Sequence, residues 1–183
     1  MVEVIHPNTL ILQYTQDKDD PTYGSCLWAR FVFNLDRYEM TITSDCGNYG
    51  YKWFETPNSE SFLHLMARCE AGYILNKIYG HANIFDYDET KKNLYQLYSY
   101  DQDDLDELNR IFDEIENDGW GMIPETAESF VNIFTEHNND HFIDIWDFPQ
   151  FIYPANALKI CEIFEKHIVP AIKEILKEKG EDK

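Results

Sequence analysis

Apolar and polar residues alternate along the first third of the chain and fall at three-and-four spacing along most of the rest. Leu10, Leu12 and Tyr14 alternate with polar neighbours and predict a first strand. A turn-rich loop, Asp17 to Gly24, follows. Leu27, Ala29, Phe31, Phe33 and Leu35 then mark one face of a half-buried strand, and Met40 and Ile42 continue with period two after a turn at Asp36-Arg37. Cys46-Gly47-Asn48 reads as the next turn, with Gly47 or Asn48 suited to positive φ, and Tyr49, Tyr51 and Trp53 close an antiparallel meander of about four strands. Pro57-Asn58-Ser59 ends the sheet.

Helical periodicity takes over from there. Phe62, Leu65, Met66, Cys69 and Tyr73 predict one helix over 61–79, with Ser59 or Asn58 as its cap. Gly72 interrupts that helix, where it costs about 1 kcal/mol relative to alanine and leaves room for a close neighbour. Asp86 or Asp88 caps a second helix reaching about Ser99, with Leu94, Leu97 and Tyr98 inward. Residues 103–117 carry the cleanest amphipathic pattern, in Leu105, Leu108, Ile111, Phe112 and Ile115, and Asp118-Gly119 stops it. Pro124 marks a further helix start ahead of Phe130, Ile133 and Phe134. Residues 138–153 read as loop or short strand. A last helix over 156–179 buries Ile160, Phe164, Ile168, Ile172 and Ile175, with a kink from Pro170 near 166–169. The pattern predicts a single α+β domain over 1–183, mainly β over 1–57 and mainly α over 58–183, in which the N-terminal antiparallel sheet of about four strands precedes about five helices.

Composition narrows the function classes. Of 183 residues 44% are hydrophobic, enough for a real core. Lysine and arginine number 15 against 34 acidic residues, a net charge of −19, which excludes a basic nucleic-acid binder and a basic membrane-surface protein. No apolar run approaches the length of a membrane span, and the N-terminus lacks the pattern of a signal peptide. Cys26, Cys46, Cys69 and Cys161 are widely spaced, with no CxxC pair, and read as reduced thiols rather than as a zinc knuckle. Charge is uneven. Residues 1–80 hold 6 basic and 10 acidic side chains, 81–153 hold 3 and 18, and 154–183 hold 6 of each. The middle of the chain therefore carries −15.

No phosphate-binding loop, dinucleotide fingerprint, nucleophile elbow or HExxH motif occurs, and the acidic runs lack the glycine of an EF-hand. His137 and His141 would share a face if they lay on one helix, as two metal ligands do, but the intervening Asn138-Asn139 favours a turn. His64 reads as an ordinary half-buried histidine. Tyr49, Tyr51 and Trp53 read as sheet packing, since no lysine or arginine is interleaved to accompany stacked bases. No catalytic residue, metal ligand or cofactor is assigned.

The most informative stretch is 101–118, with nine carboxylates (Asp101, Asp103, Asp104, Asp106, Glu107, Asp113, Glu114, Glu116 and Asp118) and one arginine. As a helix it is about 27 Å long and carries about one net negative charge per 3.4 Å, close to the phosphate spacing of a single DNA strand. Burying Leu105, Leu108, Phe112 and Ile115 places Asp103, Asp106, Glu107, Asp113 and Glu114 on the solvent face. Such a face is either a wetting layer or a surface for a basic partner. Like charges at this spacing repel, and stability alone favours interspersed cations.

One region carries a family pattern. Ser44, Asp45, Gly47, Asn48, Tyr49, Tyr51, Trp53, Ser61, Phe62, Leu63, Tyr73, Leu75 and Lys77 spell out a strand ending in Ser-Asp, then Gly-Asn-Tyr-x-Tyr-x-Trp, then Ser-Phe-Leu and Tyr-x-Leu-x-Lys. Residues 25–78 thereby resemble small proteins carried by phages and mobile elements of Gram-positive bacteria. The resemblance implies a host-interaction or counter-defence setting in the cytoplasm of a bacterial host, anti-CRISPR proteins of type II systems included. Combined with the acidic face, it predicts a non-enzymatic inhibitor whose partner is the basic nucleic-acid-binding surface of an RNA-guided CRISPR nuclease. The alternatives are an acidic immunity or antitoxin-type protein that blocks a toxic nuclease, and a metal-dependent enzyme using His137 and His141. The oligomeric state has no signature in the sequence.

Overall fold

The computed structural model describes residue 4 and residues 6–55, 60–117 and 123–180. In chain order the elements are β1 (Thr9–Thr15), β2 (Trp28–Asn34), β3 (Glu39–Ser44), β4 (Gly47–Lys52), α1 (Phe62–Ala67), α2 (Ala71–Ile78), β5 (Ile84–Asp86), α3 (Tyr87–Leu97), α4 (Gln102–Asn117), α5 (Ala127–His137), β6 (Gln150–Ile152), α6 (Ala155–Ile163) and α7 (Val169–Glu178). The class is α+β, with the antiparallel four-stranded sheet first and the helices after it. The chain divides into two compact units, residues 1–81 with 154–183, and residues 82–153.

In the first unit β1 to β4 form a meander in sequence order. Register pairs Phe31 with Ile42 and Phe33 with Met40, so the inward positions of neighbouring strands meet on one buried face. Helices cover that face. Phe164 lies 6.1 Å from Phe31, and Phe62 lies 6.2 Å from Phe33. Leu27 departs from the expected alternation. It precedes β2 and is exposed, with its backbone N–H donating to Asp45 Oδ2 at 2.9 Å and its carbonyl accepting from the Gln16 N–H at 2.9 Å.

The helix expected over 61–79 is two helices. Arg68 and Cys69 donate to Leu65 and Met66 three residues back, which tightens and ends α1. Glu70 is extended and α2 begins after it. Gly72 is therefore not the interruption. It sits in the first turn of α2, and a Cβ there would meet nothing within 4 Å. The cap of α1 is Ser61, whose Oγ accepts from the His64 N–H; Pro57, Asn58 and Ser59 lie outside the described residues. Tyr73, expected inward, is exposed, and Ile74 and Leu75 are buried instead.

The C-terminal helix runs as expected but absorbs Pro170 differently. Residues 164–168 form a π turn between α6 and α7, with the Val169 N–H bonded to the Phe164 carbonyl. The wider turn takes up a proline that has no N–H and whose ring would clash with the carbonyl four residues back.

The second unit packs α3, α4 and α5 around an aromatic-rich core: Tyr87, Leu94, Leu108, Ile111, Phe112, Ile115, Phe130, Val131, Phe134, Phe142 and Phe148. Phe134 makes ring contacts with Phe112, Phe130, Phe142 and Phe148 at 5.4 to 6.1 Å. Asp86 caps α3 by accepting from the Glu89 N–H at 2.8 Å, one of the two caps expected there. Leu97, expected inward, is exposed. Helix α5 starts after its Thr126 cap, and the buried Pro124 stands just ahead of it. Beyond α5 the chain turns through Asn139, Asp140 and Asp144, all at positive φ, and then a short 3₁₀ turn over Ile145–Asp147 leads to β6, which pairs with β5. The buried Asn138 closes this loop by bonding both the N–H and the carbonyl of Phe142 at 2.8 Å.

Candidate interaction surface

The acidic middle of the sequence coincides with the second compact unit. Residues 82–153 hold 18 acidic and 3 basic side chains, a net charge of −15 in 72 residues. All three cations are bonded to carboxylates of the same unit. Lys91 Nζ is 2.5 Å from Glu116 Oε1, Lys92 pairs with Glu89 at 2.9 Å, and Arg110 is shared by Glu107 and Glu114. None is left to offset the remaining carboxylates.

Helix α4 shows how the acidic residues divide. Leu108, Ile111, Phe112 and Ile115 are buried, and Leu105 is half-buried. Asp101 is exposed and accepts from the Asp103 N–H at 2.9 Å, an anion at the positive end of the helix. Asp103, Asp106 and Asp113 are exposed on one stripe; Asp106 accepts from Gln102 Nε2 at 2.8 Å, and no lysine or arginine among the described residues pairs with any of the three. The stripe spans about 15 Å along the axis.

The other predicted positions are engaged within the unit. Glu107 and Glu114, expected free on the solvent face, turn to Arg110, which stands between them at i,i+3 and i,i+4 spacing. Arg110 holds the Glu107 carboxyl below its usual range. Glu114 also meets His137 Nδ1 at 2.8 Å. Glu116 accepts from Lys91 and, at 3.0 Å, from the buried Tyr87 hydroxyl; Lys91 lowers its pKa, while burial foremost and Glu116 next raise that of Tyr87. Asp104 meets His141 Nε2 at 2.6 Å. Asp118 lies outside the described residues. An even, phosphate-like row is therefore not displayed along α4. The free carboxylates form a shorter stripe beside an open groove of about 940 Å³ that is bordered by Asp106, Asp113, Asn117 and His137.

His137 and His141 do not share a helix face, because α5 ends at His137 and the chain turns at positive φ before His141. Each is bonded to a different carboxylate. Residues that periodicity missed are apolar. Tyr100, Ile143 and Trp146 of the same unit are exposed, with fractional exposures of 98%, 75% and 66%. They sit at or beyond helix ends, where no repeat marks them as out of the core.

The aromatic motif of the first unit packs as one assembly. Trp53 meets Tyr51 edge-on at 4.8 Å and Phe62 at 5.4 Å, and its Nε1 donates to the Tyr73 hydroxyl at 2.9 Å. Lys77 Nζ lies over the rings of both Tyr51 and Tyr73, at 5.3 and 5.4 Å. Ser44 Oγ donates to the Gly47 carbonyl at 2.6 Å, and Gly47 takes a φ of +122°. Sequence-distant motif positions thus touch one another, the packing role expected of them.

The fold and this surface define a small α+β protein with one strongly acidic compact unit. The chain belongs to a phage protein family, Phage_phiTE_072, whose match covers residues 2–178. Phage association therefore extends well beyond the 25–78 motif region. No curated protein and no solved structure matches the chain. Among the described residues no helix is long and apolar enough to cross a membrane.

Proposed function

We propose that this phage protein is a counter-defence inhibitor of the anti-CRISPR kind, which uses its acidic unit to occupy a basic nucleic-acid-binding surface of an RNA-guided nuclease and so blocks DNA capture. The observation that carries the reading is the concentration of −15 in residues 82–153, with every lysine and arginine there already paired. Asp101, Asp103, Asp106 and Asp113 remain as exposed anions. The intended surface reads its short DNA motif with arginines and holds nucleic acid in a positive channel. Carboxylates brought there displace phosphates, and the field of the unit speeds encounter. Exposed Trp146, Ile143 and Tyr100 supply apolar anchors of the type that dominate binding energy, which charge alone does not. Membership of a phage family supports the setting.

The test is a titration of the pure protein against a guide-loaded type II nuclease at several salt concentrations, reading complex formation and DNA capture. Binding that weakens steeply with salt, and that is lost in D103K/D106K/D113K with circular dichroism unchanged, is the expected result. Unchanged binding by the triple variant overturns the site. Failure to bind this nuclease, with tight binding to a toxic nuclease instead, overturns the partner and favours the immunity-type alternative.

A further inference from the structure

The first unit brings together three metal-capable side chains that spacing in the sequence does not advertise. Cys26 stands two residues ahead of β2, and Asp45 and Cys46 form the turn between β3 and β4. The ladder register, Ala29 opposite Ser44 and Ser44 opposite Gly47, folds these two places onto each other. The sulfurs of Cys26 and Cys46 and a carboxylate oxygen of Asp45 all lie within 4.8 Å of one another, and among the described residues this is the one such group of three.

From this geometry we propose that Cys26, Asp45 and Cys46 form a binding site for a borderline-soft divalent cation of the zinc class. Two thiolates with one carboxylate are a donor set that zinc accepts, and hard cations such as magnesium or calcium do not favour it. One edge length can be compared. With Zn–S near 2.3 Å and Zn–O near 2.0 Å, a tetrahedral ion separates a sulfur and an oxygen ligand by about 3.5 Å. Cys26 Sγ stands 3.5 Å from Asp45 Oδ1. The fourth position is left to water reaching the exposed Asp45 side, since the Ser25 carbonyl, 3.0 Å from Cys46 Sγ, stands closer than that sulfur–oxygen edge.

The surroundings hold the donors in place. Asp45 accepts from the backbone N–H of Leu27 at 2.9 Å and of Trp28 at 3.3 Å, which fixes the carboxylate and leaves lone pairs directed elsewhere. The Cys46 N–H donates to Ser44 Oγ at 3.1 Å, and the Cys46 carbonyl accepts from the Tyr49 hydroxyl at 3.1 Å. Gly47 takes the positive φ of this turn, and a Cβ there would lie 3.0 Å from the Tyr49 hydroxyl and press that ring to shift. Both cysteines are buried, at 1% and 5% exposure, while Asp45 reaches the surface and gives an ion a way in. On coordination each thiol gives its proton to solvent and the ion takes two thiolates. Bound there, it clamps the start of β2 to the β3–β4 turn.

The experiment uses the full chain, reduced, freed of metal with a chelator and titrated with Zn²⁺ alone and with Co²⁺ alone. One equivalent should bind, the cobalt form should show an intense near-ultraviolet thiolate-to-metal band, and zinc should raise the melting temperature. C26S and C46S should each weaken binding at least about tenfold and abolish or shift the band, whereas C69S and C161S, whose thiols are buried elsewhere, should leave both intact. D45N, at an exposed residue whose amide oxygen keeps one of the two backbone bonds, keeps the test open should a buried cysteine variant fail to fold; with circular dichroism unchanged, it too should weaken binding about tenfold or more. The absence of a thiolate–cobalt band in the wild-type chain, or an equivalent of zinc that survives C26S/C46S or is unaffected by D45N, overturns the proposal.

Discussion

The guanidinium of Arg110 donates to the main-chain carbonyl of His137, so one side chain of α4 holds the last turn of α5. It does this while bonded to Glu107 and Glu114, and it is the single arginine of the acidic unit. Arg110 therefore has two tasks that are usually separate, closing a helix C-terminus and restraining like charges. Replacement by methionine keeps the apolar stem but leaves a carbonyl without its donor and two carboxylates without a cation. The expected cost is about 1–3 kcal/mol in urea unfolding, with lysine recovering part of it, since an ammonium cannot serve three acceptors in a planar fork. Asp113→Lys, on the open stripe and away from the N-terminal turn of α4, should change stability by less than about 0.5 kcal/mol. Equal effects from the two positions would contradict this division of the helix.

Asn138 marks a second fixed point. It is 3% exposed, and its amide spans Phe142 in both directions. Asn138→Ala should cost about 1–3 kcal/mol, because it removes both bonds and leaves buried backbone groups unsatisfied. Aspartate should be nearly as damaging, as it cannot donate to the Phe142 carbonyl. The readout is the denaturant midpoint together with hydrogen exchange of the Phe142 amide, which should lose protection.

What the sequence made legible follows from which forces are local. The four strands were readable because Phe31, Phe33, Met40 and Ile42 alternate over a buried face, and α4 because Leu108, Ile111, Phe112 and Ile115 recur on one stripe. The break between α1 and α2 was not. Nothing in composition separates Arg68-Cys69-Glu70 from a continuing helix, and both Met66 before the turn and Ile74 after it are fully buried, a tertiary arrangement that periodicity does not carry. The acidic stripe was visible as charge, but the turn of Glu107 and Glu114 towards Arg110 needed the side-chain geometry of i,i+3 and i,i+4 neighbours. The Cys26, Asp45 and Cys46 group escaped because spacing rules look along the chain, and here the ladder register makes the approach across it.

Gly72 offers a change of the opposite sign. It lies in α2, its φ is not in the left-handed region, and an added methyl group would enter open space. Gly72→Ala should therefore stabilise the first unit, by about 0.4–1 kcal/mol, chiefly by restricting the unfolded chain. A rise in the denaturant midpoint at unchanged slope is the expected result; a fall would show that the backbone here needs glycine for a reason its surroundings do not reveal.

The paired carboxylates set the response to acid. Arg110 holds the Glu107 carboxyl, and Lys91 that of Glu116, below their ordinary value of 4.5. In the first unit the hydrogen bonds from Lys166 and Lys159 do the same for Glu162. A carboxyl whose pKa is lower in the folded chain binds fewer protons there than when unfolded. Its contribution is therefore complete above about pH 4.5 and is lost as pH falls through the lower folded value. The Glu107–Arg110 and Glu116–Lys91 pairs, both partly exposed, each contribute less than about 1 kcal/mol. Melting temperature should accordingly hold level from neutral pH to about pH 5 and decline below it. In E107Q and E116Q the neutral-pH value should be lower and the acid decline shallower, because the amide carries no proton to gain. A decline of wild-type steepness in both variants would place the acid-sensitive interactions elsewhere in the molecule.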